Sequence, residues 1–240
     1  MGWRLKADRL YAGYGGKALT GEISFGLEPG ECVLLCGANG TGKSTLLRTV
    51  AGLEKPVNGG VELASDAGKG RVVLVPSRVP KVSGFLVERF IGLSSFRDTD
   101  WLGRIDREME SRIAYAMSLL GIENLAGHDI STLSDGEFQK ACIAAAVVRK
   151  ADVILLDEPT AFLDVDTREN VLIALRTLTD APRGAVSVIF SSHDISSAGR
   201  HCTRVFGLFR DGGVSSFIDS GKSASSDAIG NVLHRCFRSL

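Results

Sequence analysis

The stretch Gly37-Ala38-Asn39-Gly40-Thr41-Gly42-Lys43-Ser44 constrains this chain more than any other part of it. The short apolar run Cys32 to Cys36 precedes it and reads as a buried strand. Ser44 to Leu53 follows, with Leu46, Leu47, Val50 and Leu53 at helical spacing. Strand, glycine-rich turn and helix in that order make a cradle for phosphate. The glycines let backbone N–H groups converge on phosphate oxygens, and the helix turns the positive end of its dipole toward them. Lys43 adds a mobile charge, and Ser44 a hydroxyl suited to Mg²⁺. A turn that matches by composition alone is the plainer reading, but the buried strand before it and the helix after it favour nucleotide binding.

A second element points to the same chemistry. Val153-Ile154-Leu155-Leu156 runs straight into Asp157-Glu158, placing two carboxylates where a buried strand leaves the core. Parallel α/β sheets gather their ligand groups along the carboxyl edge, so both acids are expected to face the phosphate loop. Asp157 is then suited to hold Mg²⁺ through its water shell, and Glu158 to orient and deprotonate an attacking water. His193 follows Val186 to Phe190 in the same way, bringing an imidazole to that edge.

The rest of the chain fits one α/β unit. At 240 residues it is one large domain or two modest ones, and 44% apolar with 23% charged residues is ordinary for a globular protein. Lys plus Arg and Asp plus Glu both number 28, so nothing in the charge draws it to a nucleic acid. The longest apolar run, Ala141 to Val148, falls well short of the ~20 residues of a membrane-crossing helix. The start, Met1-Gly2-Trp3-Arg4-Leu5-Lys6, has neither an apolar leader segment nor a myristoylation pattern, so a cytoplasmic location is expected. Cys32, Cys36, Cys142, Cys202 and Cys236 read as small buried hydrophobes, Cys32 and Cys36 on one strand face without the second ligand pair that a zinc site needs.

The chain opens β-rich over 4–14 and 23–27. Asn58-Gly59 suggests a hairpin into Val61 to Leu63, and Val72 to Val75 a strand stopped by Pro76. From Phe85 to His128 the pattern turns helical, with Ile105, Met109, Ile113, Met117 and Leu120 on one stripe and Gly121 as the stop. Strands and helices then alternate: Val153 to Leu156, a helix over 166–178, Val186 to Phe190, Val205 to Phe209 and a closing helix over 227–237. Ser215 to Ser226 reads as a locally polar segment.

Leu133-Ser134-Asp135-Gly136-Glu137 opens a helix whose body is Phe138 to Arg149. Ser134 and Glu137 form a capping box, and such a helix start is also an anion site that Gly136 leaves open. With the phosphate loop before it and the Asp157-Glu158 strand after it, this stretch resembles the signature motif of ATP-binding cassette (ABC) ATPases. The likeness covers nearly the whole chain, and is most similar to importers of iron chelates, haem and cobalamin. It implies a P-loop NTPase core sheet with an N-terminal antiparallel β subdomain and a helical subdomain, inserted over about 85–150, in a single domain spanning 1–240. It implies ATP and Mg²⁺ as ligands. Gly37, Asn39, Gly40, Thr41, Gly42, Lys43, Ser44 and Thr45 would surround the phosphates. Tyr14 would stack on adenine, Ala161-Phe162-Leu163-Asp164 would be the D-loop, and His193 the switch histidine. Without the likeness, Tyr14 reads as a strand aromatic in the core. Asp164 reads as a cap of the next helix, in competition with the pair Asp166 and Glu169.

One position departs from the family. Where members carry Gln after the Val72 to Val75 strand, touching Mg²⁺ or the attacking water, this chain has Ser77. A shorter hydroxyl needs a bridging water to reach the metal, which bears on coupling more than on nucleotide binding. The family's mechanism further implies a homodimer. ATP on one subunit's phosphate loop is covered by Ser134 and Gly136 of the other, and the pair drives integral membrane permease subunits from the cytoplasmic face without touching the cargo. An exporter ATPase, a nucleotide-gated regulatory module with weak hydrolysis and a soluble cassette acting on DNA or ribosomes are the alternatives. The last usually carries coiled coils or paired cassettes, which this chain lacks.

Overall fold

The computed structural model describes residues 2–65, 68–95, 107–161, 163–180, 186–221 and 226–237. Ile105 and Phe162 lie outside the described residues. The chain opens with β1 (Leu5–Tyr11), β2 (Gly13–Tyr14), β3 (Lys17–Ala18), β4 (Ile23–Leu27) and β5 (Cys32–Gly37), then α1 (Lys43–Val50). Next come β6 (Asn58–Ser65), β7 (Gly68–Lys69), β8 (Val72–Val75), α2 (Val87–Leu93) and α3 (Arg107–Leu120). Two 3₁₀ turns, Glu123–Leu125 and Ile130–Thr132, lead to α4 (Asp135–Val148) and β9 (Val153–Leu156). The chain continues through α5 (Val165–Thr179), β10 (Ser187–Ser191), α6 (Ile195–Ala198), β11 (Arg204–Asp211), β12 (Val214–Asp219) and α7 (Ser226–Phe237).

The main sheet has six strands in the order β12-β11-β5-β10-β9-β8, parallel except for β12 at one edge. β5 is buried at every position because the sheet is covered on both faces. Successive side chains point oppositely, so Cys32, Leu34 and Cys36 join a core with α3, α4 and α5. Val33 and Leu35 instead meet Leu46, Leu47 and Val50 of α1 and the apolar face of β1 and β4. A second antiparallel sheet, β4-β1-β6-β7, supplies that covering layer. Phe190 at the centre of β10 is fully buried, and truncating it to Ala would cost about 3–5 kcal/mol.

α2, α3 and α4 lie in sequence between β8 and β9. The stripe expected on α3 is real over Met109, Ile113, Met117 and Leu120, and Ala116 joins it. α4 buries Ala141, Ile143, Ala144 and Val148 almost completely, so the longest apolar run of the chain is a core helix. No described helix is long and apolar enough to cross a membrane.

Two local expectations give way to tertiary context. α1 ends at Val50, with Gly52 at φ 73, so Leu53 falls outside the helix and is 62% exposed. Asn58-Gly59 makes no hairpin but starts β6, which pairs along β1. Gly59 there sits opposite a bulge whose Arg9 has φ 45, and any Cβ at Gly59 would come within 2.0 Å of the Arg9 carbonyl oxygen. The first part of the polar segment, Ser215 to Asp219, belongs to strand β12, which pairs along β11 at the edge of the sheet. The closing helix forms as expected, and Val232 and Cys236 of α7 are buried against β11, where Gly207 leaves them room. Cys236 brings its sulfur to 3.7 Å from that of Cys36.

Candidate functional site

The phosphate loop runs from the end of β5 to the start of α1. Gly37 has φ 153, and a Cβ there would lie 2.3 Å from the Leu208 carbonyl oxygen of β11. Gly40 and Gly42 have φ 76 and 95, left-handed conformations that glycine adopts without strain. Gly42 caps α1 with no side-chain hydrogen bond, so the helix's first N–H groups face the loop concavity unspent. Lys43 is buried and folds back, donating from Nζ to the carbonyl oxygens of Gly37 at 2.8 Å and Ala38 at 3.2 Å. Burial lowers its pKa, while Glu158 and Asp157 pull the other way. Thr41 Oγ1 donates to Ala38 O at 2.9 Å, closing the loop on itself. Asn39 and Ser44 are exposed, the latter in the first turn of α1. Thr45 Oγ1 contacts the Tyr14 hydroxyl at 3.3 Å. Tyr14 is 48% exposed, so its ring is not the core aromatic that strand propensity suggests.

The carboxylates stand where the strand pattern puts them. Asp157 is buried at the end of β9, its N–H donating to Val75 O at 2.9 Å. The Ser191 hydroxyl donates to Asp157 Oδ1 at 2.9 Å and accepts from the Glu158 N–H at 2.8 Å. Glu158 holds φ 53, a left-handed backbone uncommon for a side-chain-bearing residue, secured by Ser191 and by a turn from Ala161 N–H to Glu158 O at 3.1 Å. His193 Nε2 lies 2.7 Å from Glu158 Oε1.

The signature helix begins as its sequence dictates. Ser134 Oγ accepts from Glu137 N–H at 3.3 Å, while Ser134 N–H and Oγ both donate to Glu137 Oε2 at 2.8 Å. Those donors hold the Glu137 carboxyl below its ordinary pKa. Gly136 packs near the loop before α5, with the Leu163 side chain 3.3 Å from where a Cβ would stand. Asp164 caps α5 by accepting from Thr167 N–H at 2.8 Å, so the rival pair Asp166 and Glu169 does not form. Glu169 instead meets His201 Nε2 at 2.9 Å. Ser77 is half-buried and lines a 560 Å³ cleft with Lys81, Asp135, Phe138, Gln139 and Ala161.

Several site residues escaped the sequence reading. Ser191 links the Asp157 carboxylate to the Glu158 backbone N–H, and the signal for it was a hydroxyl at the end of β10, two residues before His193. Arg168 spans the loop before α5 and the segment after His193, donating to Leu163 O at 3.2 Å and to Asp194 Oδ2 at 2.6 Å. Arg210 donates to Gly40 O at 3.2 Å, across 170 residues of sequence.

The sequence profile of the family described as ABC transporter matches residues 20–161. The chain is 28% identical over 212 residues to the petrobactin import ATP-binding protein FpuD of Bacillus anthracis, covering 85% of this chain and 77% of that one. It is 34% identical over 218 residues to the cobalt import ATP-binding protein CbiO of Rhodobacter capsulatus, covering 88% and 76%. Its fold matches a bacterial ABC transporter cassette solved as a dimer, with TM-score 0.71, 24% identity and coverage of 85% and 93%. With a phosphate loop, paired carboxylates and a signature helix each built as described, the chain belongs to the ABC transporter family, as an ATP-hydrolysing cassette.

Proposed function

We propose that two copies of this cassette drive a membrane permease in the import of an iron chelate, haem or cobalamin. The observation that carries the reading is Glu158 Oε1 held 2.7 Å from His193 Nε2 on the strand edge that also bears Asp157. Lys43 leaves the carbonyls of Gly37 and Ala38 for the terminal phosphates. Gly37, Asn39, Gly40, Thr41, Gly42, Ser44 and Thr45 surround them, and Tyr14 stacks on adenine. Glu158 takes a proton from the attacking water on one oxygen while His193 orients the other.

The residues present fit Mg²⁺. Asp157 is a buried carboxylate with one oxygen held by Ser191, and Ser44 is exposed at the start of α1. Those two would hold the ion, with Ser77 reaching it through a water. Bound Mg²⁺ supplies neutralisation of the charge that builds on the phosphate oxygens. Ser134, Gly136 and Asp164 act across the pair, closing over the nucleotide of the other subunit. The helical subdomain over about 85–150 is an insert in a single cassette spanning 1–240, peripheral on the cytoplasmic face of the membrane, and the cargo touches only the permease. The import names carried by the relatives support this direction.

Ser77 favours a second reading, in which the shortened side chain has reduced hydrolysis to a regulatory signal. Purification in mild detergent followed by ATPase assay of the reconstituted complex separates the two. A many-helix permease co-purifying with steady turnover is expected; binding without turnover supports the regulatory module. Recovery with ribosomes or DNA instead overturns both.

A further inference from the structure

One side chain outside the assigned site reaches into it. Lys81 sits four residues beyond Ser77, on the loop that leaves β8. Its Nζ donates to Leu133 O at 2.7 Å and to Asp135 Oδ1 at 2.8 Å, and stands 5.7 Å from the centre of the Phe138 ring. These partners flank Ser134 on both sides and extend one helical turn beyond it, so a single ammonium grips the whole start of α4.

The two hydrogen bonds differ in weight. Asp135 is 81% exposed on its side chain, and an ion pair so placed contributes little. Leu133 is 5% exposed and lies between the 3₁₀ turn Ile130–Thr132 and the first residue of α4. A buried carbonyl needs a donor, and Lys81 supplies a charge-assisted one. The tether therefore acts chiefly through the backbone immediately before Ser134. Its other end is anchored at the catalytic edge: Val75, the last residue of β8, accepts from the Asp157 N–H at 2.9 Å. Ser77 and Lys81 line the same 560 Å³ cleft as Asp135 and Phe138.

We propose that Lys81 is a positioning residue that fixes the start of α4 relative to the β8 loop, and so sets how Ser134 and Gly136 meet a second cassette's nucleotide. The inference rests on the reading that Ser134 and Gly136 act across a pair. The Lys81 ammonium is held by Leu133 O and Asp135 Oδ1, so it ties the loop that carries Ser77 to the start of α4.

The test compares Lys81→Met, which keeps the stem over Phe138 and removes the ammonium, with Lys81→Arg and Asp135→Asn. Mononucleotide binding by Lys81→Met is expected to stay unchanged, because the phosphate loop is untouched. Turnover and ATP-driven dimerisation, the latter read in a Glu158→Gln background, are expected to fall roughly ten- to hundredfold, as for a misplaced catalytic partner. KM should change little and kcat should carry the loss. Lys81→Arg should restore most of it, Asp135→Asn should lose little, and hydrogen exchange at the Glu137 amide should quicken in Lys81→Met. Parental dimerisation and turnover in Lys81→Met overturn the proposal, as does a loss that tracks unfolding and that Lys81→Arg fails to rescue. Ser134→Arg in the same assays separates the two levels of inference. If it abolishes dimerisation while Lys81→Met does not, only the role of Lys81 falls; if Ser134→Arg dimerises and turns over normally, the cross-subunit reading falls and takes Lys81 with it.

Discussion

The starts of α1 and α4 are the same physical device put to different uses. Each offers free N–H groups and the positive end of a helix dipole. At α1 the cap is Gly42, with no side chain spending those donors, and buried Lys43 is folded onto the carbonyls of Gly37 and Ala38. At α4 one of those donors, the Glu137 N–H, is already engaged in the box between Ser134 and Glu137, and Ser134 is exposed. The first end can bind phosphate unaided. The second already carries a side-chain cap, and on the proposed function it would give that cap up to a γ-phosphate held by a partner. On the proposed function, that asymmetry would make nucleotide binding a property of one subunit and hydrolysis a property of two.

The comparison breaks most sharply at Lys43. Lys43→Ala should abolish ATP binding in calorimetry, whereas removing any group at the start of α4 should leave the binding isotherm in place; retained affinity would put the phosphates elsewhere. Glu158→Gln comes next. Binding should persist and a closed dimer accumulate on gel filtration with ATP, while turnover falls roughly a hundred- to ten-thousandfold. Full turnover removes Glu158 from the role of base.

The smallest expected effect sharpens the contrast from the side of α4. Glu137→Ala removes half of the capping box and should cost about 1 kcal/mol, or a lowering of Tm by roughly 2–4 °C. The Ser134 hydroxyl and N–H depress the pKa of Glu137, so the carboxylate's stabilisation is complete above its ordinary value and is lost as pH falls through the depressed one. The gap in Tm between parent and Glu137→Gln should therefore close on the acid side. A gap that widens there would mean the box is not formed.

Much of this site was legible because its parts are local. The glycines at positions 37, 40 and 42 declare their backbone wherever the loop sits, and Ser134 with Glu137 declares a cap across three intervening bonds of helix. Leu53 and Asn58-Gly59 misled for the same reason in reverse. Spacing extended α1 past Gly52, and a turn-prone dipeptide turned out to fit a bulge set by its neighbour strand. Asp164 was contested between two capping patterns of similar local merit, and packing of α5 chose between them.

The sequence by itself determined the phosphate loop, the strand ends that carry Asp157, Glu158 and His193, and the start of α4, since each depends on residues within a few positions of one another. The tertiary structure alone decided that Ser191 would join the Asp157 carboxylate to the Glu158 amide, that Lys81 would cap the carbonyl before Ser134, and that Cys36 and Cys236 would meet. Those contacts follow from the strand order β12-β11-β5-β10-β9-β8 and from which helix lies on which face. Such an order is fixed by burying both faces of the sheet at once, a condition that no short stretch of chain can express.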